Sequence, residues 1–324
     1  MSGRLVHVGS AVVDYVYRID ALPAPGTEKT ATSYARVAGG GFNMMVAARR
    51  TGMKVVFGGQ LGTGPDGDFL RAAFAVEGIE TLTPPSPLMD SGNCVAMISS
   101  DAERTFVSWP GAESVLTLDM MAPVQVVPGD WVFSSGYTLS YPGSRDALAD
   151  WIEALPAGIP LVFDPTPVIT DIPRTILDRV LARTTWLSCN TNEAAEIAGA
   201  GDAQTVAIRL LAEHCPGAEG VVIRAGAHGC LVRMADGGTR AIPGFEVVAV
   251  DTNGAGDTHI GAFVSALACG LSPNEAARYA NAAAALSVTR HGGSSAPKDT
   301  EIQEFLSHRD QATTAHGRED ATAT

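Results

Sequence analysis

Only three lysines, Lys29, Lys54 and Lys298, occur in the 324 residues, and none follows a glycine. The G-K-[ST] step of a phosphate-binding P-loop is therefore missing, which excludes the NTPases that depend on it. Basic residues are scarce altogether: 22 Lys+Arg stand against 35 Asp+Glu, a formal charge of −13. Neutralising a polyanion takes many basic groups, so the chain is not expected to bind nucleic acid or an anionic membrane. Small anions stay open, because backbone N–H groups at a helix N-terminus hold them without net positive charge. The five cysteines (Cys94, Cys189, Cys215, Cys230, Cys269) include no C-x-x-C pair and read as the reduced thiols of a cytoplasmic protein. No run approaches the ~18 apolar residues of a membrane span, and Leu5–Gly9 looks like a strand meeting a turn rather than a secretory leader. Seven histidines show no H-E-x-x-H or similar ligand spacing, so structural zinc is not expected.

What is present is 46% hydrophobic residues, an ordinary globular share, arranged in two kinds of segment. Short apolar runs recur at Lys54–Phe57, Trp131–Phe133, Leu161–Phe163, Trp186–Cys189 and Val221–Ile223. Such continuous apolarity predicts strands buried on both faces, hence a parallel sheet between helices. Helix patterns fall between them at Asn43–Arg50, Asp68–Glu77, Arg145–Leu155, Ala203–His214, Asp257–Cys269 and Pro273–Val288. The alternation predicts a doubly wound, three-layer α/β/α body. Two half-polar strand pairs, Asp14–Ile19 with Thr30–Val37 and Cys94–Ser99 with Arg104–Trp109, have no accompanying helix. They predict a small β-sheet lid made of two insertions. The expected organisation is one domain over residues 1–308: the body at about 1–10, 39–91 and 112–308, the lid at about 11–38 and 92–111. The polar, aperiodic stretch 309–324 is expected to be a disordered tail.

Two familiar signatures prove weak. Gly62-Thr63-Gly64-Pro65-Asp66-Gly67 spells the dinucleotide pattern G-x-G-x-x-G, but Pro65 removes a backbone donor from the turn that would hold phosphate. His308-Arg309-Asp310 spells a protein-kinase tripeptide with no D-F-G after it, an accidental match. The stronger feature is Asp251-Thr252-Asn253-Gly254-Ala255-Gly256-Asp257-Thr258, placed after a predicted strand Val247–Val250 and at the start of a helix. Its glycines allow successive N–H groups to face an anion at a helix N-terminus, and Asp257 would suit a base beside that anion. A tight turn with a helix cap explains the same residues, and local physics leaves both open.

The run Asp251–Thr258 resembles the C-terminal signature of the ribokinase (PfkB) family of sugar and nucleoside kinases. Three further segments are similar to that family in the same order: Gly39-Gly40-Gly41-Phe42-Asn43 before an alanine-rich helix, Asn190-Thr191-Asn192-Glu193, and Arg224-Ala225-Gly226-Ala227-His228-Gly229. Asp14 matches the family's substrate aspartate, and the likeness runs from about Leu5 to Leu306. The resemblance implies a ribokinase-like α/β fold with a lid and transfer of the γ-phosphoryl of ATP to a hydroxymethyl group. It implies Asp257 as base and the N–H groups of Gly254, Ala255 and Gly256 as an anion hole. Asp14, Gly40, Gly41 and Asn43 would bind the acceptor. Asn190 and Glu193 would orient Mg²⁺ through water, and Arg224, Gly226, Gly229 and Asn281 would line the nucleotide. Asp251, Asn253 and the loop His291–Gly293 would hold a monovalent cation such as K⁺, and the lid would pair two copies as a homodimer.

Each position also has a purely structural use. Asn43 suits a helix N-cap, Asn190 and Glu193 a cap and first-turn acid, Asp14 and Arg104 solvated lid charges, and His259 packing. Ala38 and Gly64 depart from the family's pattern, and Ser134–Tyr137 offers no carboxylate of the kind ribokinases use on the sugar. Asn253, with a wall of Tyr15, Tyr17, Phe106, Val107 and Trp109, hints at a nucleoside, so the acceptor stays open between sugar and nucleoside. The competing functions are a non-catalytic nucleotide- or sugar-sensing protein on the same fold and, least favoured, an NAD-dependent oxidoreductase.

Overall fold

The computed structural model describes residues 3–101 and 103–321. In chain order the first half comprises β1 (Arg4–His7), β2 (Ala11–Arg18), β3 (Ser33–Gly40), α1 (Gly41–Arg50), β4 (Lys54–Phe57), α2 (Pro65–Glu77), β5 (Glu80–Thr81), β6 (Asn93–Ile98), β7 (Arg104–Trp109), α3 (Leu118–Met121), β8 (Trp131–Ser135), α4 (Gly136–Ser140) and α5 (Arg145–Glu153). The second half comprises β9 (Leu161–Asp164), α6 (Arg174–Arg183), β10 (Trp186–Asn190), α7 (Thr191–Ala198), α8 (Ala203–Arg209), β11 (Gly220–Arg224), β12 (Gly229–Met234), β13 (Thr239–Pro243), α9 (Ala255–Ala268), α10 (Pro273–Ser287) and α11 (Asp299–Ala321).

The body is one nine-stranded sheet in the order β13-β12-β11-β10-β9-β8-β1-β4-β5. Its pairs are parallel from β5 to β11, and β12 and β13 close one side as an antiparallel hairpin. Because strand side chains alternate, each apolar run feeds both faces. Leu5, Val55, Phe133, Trp186 and Val222 join the layer under α1, α9 and α10. Val6, Val56, Val132, Leu187 and Val221 join the layer under α5, α6 and α8. This explains why the runs read as continuously apolar. Ser272 caps α10 and shares a capping box with Glu275, as the Ser-Pro-Asn-Glu spelling predicts.

Small residues in α9 set the distance that matters for the site. A Cβ at Gly261 would lie 2.5 Å from the carbonyl oxygen of Met44, so α9 rests directly on α1. That contact places the first turn of α9 against the first turn of α1. The lid is a separate four-stranded sheet, order β3-β2-β6-β7, as the two insertions predict. Asp66 at the start of α2 anchors it, accepting hydrogen bonds from Tyr15 (2.6 Å), Arg36 (2.5 Å) and Asn93 (3.2 Å), one residue from each of β2, β3 and β6.

Two expectations need correction. Residues Val247–Val250 form no strand: β13 ends at Pro243, and the chain leaves the sheet edge with Val248 85% exposed. The N–H groups of Val250 and Asp251 donate instead to Val288 O at 2.7 and 3.1 Å, which ties the segment to the end of α10. The structure describes α11 through Arg309, where the tail was expected to begin, as far as Ala321; residues 322–324 of that stretch lie outside the described residues. Ile302 and Leu306 bury the start of that helix, and once a turn is nucleated an alanine-containing sequence extends it readily. Arg309 donates to Glu246 O (2.8 Å) and Asp310 pairs with Arg278 (2.6 Å). Among the described residues no helix is long and apolar enough to cross a membrane.

Trp186 meets Phe263 edge to face with ring centroids 5.2 Å apart, where the sheet and α9 join. Phe263→Ala is expected to cost about 3–5 kcal/mol, measured by urea unfolding followed by fluorescence. A loss below about 1 kcal/mol would show that α9 is not held by this contact.

Candidate active site

Asp251–Gly254 leads from the body into the first turn of α9. Gly254 has φ 71°, and a Cβ there would stand 2.1 Å from Gly293 O, so only glycine allows the turn to close on the 291–293 loop. Ala255 N closes the turn onto Thr252 O with a long 3.4 Å bond. The N–H groups of Gly256 and Asp257 follow in the first helical turn, where no intrahelical acceptor exists and the helix dipole favours an anion. The expected donors thus divide: Ala255 is partly occupied by the turn, and the open helix N-terminus comprises its two successors.

Asp257 stands at the third helical position, and its carboxylate accepts from Asn43 Nδ2 at 3.3 Å. Asn43 is itself third in α1, whose N-cap is Gly40, so the capping use of Asn43 is excluded. Burial, and next the charge of Asp164, push the Asp257 carboxyl up to about 6, against the opposing effects of Asn43 and Arg224. Asp14 faces the same space from β2. A Cβ at Gly39 would lie 2.1 Å from its Oδ2, so the glycine run lets the β2 carboxylate settle on β3. Burial, then Asp257, raises Asp14 to about 7. Beneath Gly41 lies His7, fully buried with neither ring nitrogen hydrogen-bonded, and burial lowers it to about 3, so it is a neutral imidazole.

On the other side of Asp257 the ends of β9, β10 and β11 bring together Asp164, Asn190 and Arg224. Arg224 donates to Ser188 Oγ (3.0 Å) and at 3.4 Å to both Asp164 and Glu193. Asn190 and Glu193 do make a complete capping box on α7, and Glu193 reaches Arg224 as well, so its capping role does not draw its carboxylate away from Arg224. Burial, then Asp164, pushes Glu193 up to about 7 despite Arg224. A Cβ at Gly256 would lie 3.8 Å from the Arg224 guanidinium carbon, which puts that cation beside the open turn. Asp164 was missed in the sequence. Its signal was a carboxylate ending a buried strand, followed by Pro165-Thr166-Pro167, in which Thr166 has φ 59° and donates its N–H to Asp164 (3.0 Å).

Other candidates sit elsewhere. Asn281 is buried with its side chain committed to Ile242 O and Pro243 O (3.1 Å each) and to His259 Nε2 (3.1 Å), so it fastens α10 to α9 and β13. His259 accordingly packs, as expected. Gly226 and Gly229, both at positive φ, shape the β11–β12 turn. Asn253 Nδ2 and Asn43 Nδ2 both lie against Gly293, about where a Cβ on it would fall, at 3.0 and 2.9 Å. Asp251 is taken by lid arginines: Arg104 donates to it at 2.7 Å and Arg18 lies at 3.8 Å. Arg104 is therefore no solvated charge.

The dinucleotide-like turn is filled from within. Asp90 accepts from the N–H groups of Gly64 (3.1 Å), Asp66 (2.9 Å) and Gly67 (2.7 Å), leaving no room for a cofactor phosphate. Burial opposes its charge, but these donors hold its carboxyl below the ordinary range. The proposed aromatic wall also separates. Asp14, Cys94 and Ser108 are paired across the lid and share one face, whereas Tyr15, Val95 and Val107 are paired on the other. Strand alternation sends Tyr17 and Trp109 to that second face too, and only Phe106 shares the face of Asp14.

The profile of the pfkB family carbohydrate kinases matches residues 2–300. The chain is 34% identical over 316 residues to the ribokinase of Haemophilus influenzae, covering 95% of this chain and 100% of that protein. It is 33% identical over 305 residues to an uncharacterized sugar kinase of Escherichia coli, covering 93% of each. In fold it superposes on the Arabidopsis thaliana ribokinase complexed with ribose and ATP with a TM-score of 0.76 at 24% identity, covering 94% of this chain and 99% of the other. With the matched segments and this arrangement of carboxylates at the strand ends, the chain belongs to the PfkB family of carbohydrate kinases.

Proposed function

We propose that this kinase transfers the γ-phosphoryl of ATP to a primary hydroxyl of a free, uncharged sugar, with Asp257 as the base. The observation that carries this is the position of Asp257, between Asp14 and Asn43 on one side and Gly256 and Arg224 on the other. An acceptor hydroxyl seated on Asp14 and Asn43 would present its proton to Asp257. As the proton leaves, the hydroxyl oxygen forms a bond to the γ-phosphorus and the bond to the β-phosphate oxygen breaks, releasing ADP. The N–H groups of Gly256 and Asp257, with the Arg224 cation, would then face the charge on the moving phosphoryl.

Mg²⁺ fits the donor set. Asp164 at the end of β9 and Glu193 in the first turn of α7 would supply oxygen ligands, and one guanidinium pairs with both while Asp257 also feels its charge, so the pocket is short of positive charge. Bound there, Mg²⁺ would neutralise phosphate charge. A free sugar is favoured over a nucleoside because Tyr15, Tyr17 and Trp109, three of the four lid aromatics that would cover a base, lie on the face away from Asp14, which only Phe106 shares. An ADP-release screen should therefore show turnover with pentoses or hexoses and at least about tenfold lower kcat/KM with ribonucleosides. A nucleoside as the preferred acceptor would refute the sugar assignment.

Asp257→Asn is expected to lower kcat by about 10³-fold, while calorimetry shows ATP and sugar binding within a few-fold of the parent. Retained turnover would remove Asp257 as base. The base works only when ionised, so kcat/KM should fall as the pH drops through about 6, the value to which burial raises Asp257. Asn43→Leu removes a hydrogen bond that stabilises the ionised form, so the acid limb should move to higher pH. An unmoved limb would show that another group controls it.

A further inference from the structure

Asp251 begins the loop that ends in the anion-binding turn, and its side chain is only 8% exposed. Both of its carboxylate oxygens are engaged. Oδ1 accepts from the Arg104 guanidinium (2.7 Å) and from Asn253 N (3.0 Å). Oδ2 accepts from Gly292 N (3.2 Å) and faces the Arg18 guanidinium at 3.8 Å. An ionised carboxylate has about four lone-pair sites; hydrogen bonds take three of them, and the Arg18 cation stands near the fourth beyond hydrogen-bonding distance. The register of β2, β6 and β7 sets Arg18, Ile98 and Arg104 abreast at one end of the lid, on the face that carries Asp14. One carboxylate thus joins the lid, the turn from Asp251 to Gly254, and the 291–293 loop against which Gly254 closes.

Resting on the kinase reading, we propose that Arg104, seconded by Arg18, is the positioning cation of the phosphoryl-transfer site, holding Asp251 and the anion-binding turn in place of an inorganic monovalent ion. Left unpaired, Asp251 would repel the phosphate charge arriving one turn away. A guanidinium from the lid cancels that charge and fixes the carboxylate geometrically, since its donors form a rigid planar fork. K⁺ at Asp251 would have to sit against two guanidinium groups, so the residues present do not fit it. Because the cation belongs to the lid, the turn takes its final shape only with the lid down over the acceptor. The lid then both covers the sugar and completes the site for the phosphoryl group.

The test measures the full chain, Arg104→Ala and Arg104→Lys in tetramethylammonium buffer with and without about 0.1 M K⁺. Wild-type kcat is expected to change less than about twofold with K⁺, and Arg104→Ala to lose about tenfold or more in kcat with the KM for ATP nearly unchanged. K⁺ should restore part of that loss, and Arg104→Lys should retain most activity. A wild type activated more than about tenfold by K⁺ would overturn the proposal. So would an Arg104→Ala enzyme at full kcat, or a loss that neither K⁺ nor lysine relieves, since the arginine would then be merely structural. Thermal melting without substrate reads the same site independently of turnover. K⁺ should raise the Tm of Arg104→Ala and leave wild type unmoved, and an equal rise in both contradicts the proposal. Absence of ADP release with every sugar, alongside the expected melting pattern, would count against the kinase reading and not against the arginine.

Discussion

The Arg224 guanidinium is buried at the end of β11 beside Asp164 and Glu193, with Asp257 close enough to feel its charge. Three carboxylates around one cation, with Asp14 just beyond, make a pocket short of positive charge. Burial and mutual repulsion hold Asp14, Glu193 and Asp257 above their ordinary range. The same shortage makes the pocket suited to ligands that bring cations with them, such as a nucleotide with its metal. Burial and that shortage together raise Asp257 to about 6, a range that suits the base role proposed for it. An acidic chain can in this way offer phosphate the backbone N–H groups of a helix N-terminus and one well-placed arginine, with no lysine loop.

Packing delivers these groups to one place. Gly261 lets α9 touch α1, and this brings Asn43 to Asp257 across 214 residues of sequence. Gly39 lets Asp14 lie against β3, and Gly254 lets the anion turn close on Gly293. In each case the glycine is needed because a side chain would collide with backbone or with a carboxylate. The lid is fastened at two points of opposite character. Asp66 grips β2, β3 and β6 close to α2, and Asp251 meets Arg18 and Arg104 at the end of the lid nearest the turn at Gly254. Removing either carboxylate would leave arginines half-buried without their partner.

Much of this was legible in the sequence. The apolar runs identified the buried strands because a sheet covered on both faces asks only for apolarity, and the half-polar pairs identified the lid. The glycine-rich motifs were legible because backbone approach leaves glycine as its trace. Asp164 was not, since a carboxylate ending a strand looks like any other until its neighbours are known. The arginine partners of Asp251 were hidden for the same reason: β2 and β7 meet the 251–254 loop only in three dimensions. Val247–Val250 misled because four β-branched or small apolar residues suggest a strand, whereas the sheet edge had already ended at Pro243. Gly62–Gly67 was set aside on Pro65 alone, since sequence spacing cannot show that Asp90 fills the turn.

The most direct measurement is a crystal structure of the chain with ADP, Mg²⁺, a sugar acceptor and a planar fluoride mimic of the transferring phosphoryl. The mimic should lie within hydrogen-bonding distance of the Gly256 and Asp257 N–H groups, with a sugar hydroxyl between it and the Asp257 carboxylate. A mimic bound away from the first turn of α9, or a sugar hydroxyl that does not touch Asp257, would contradict the account.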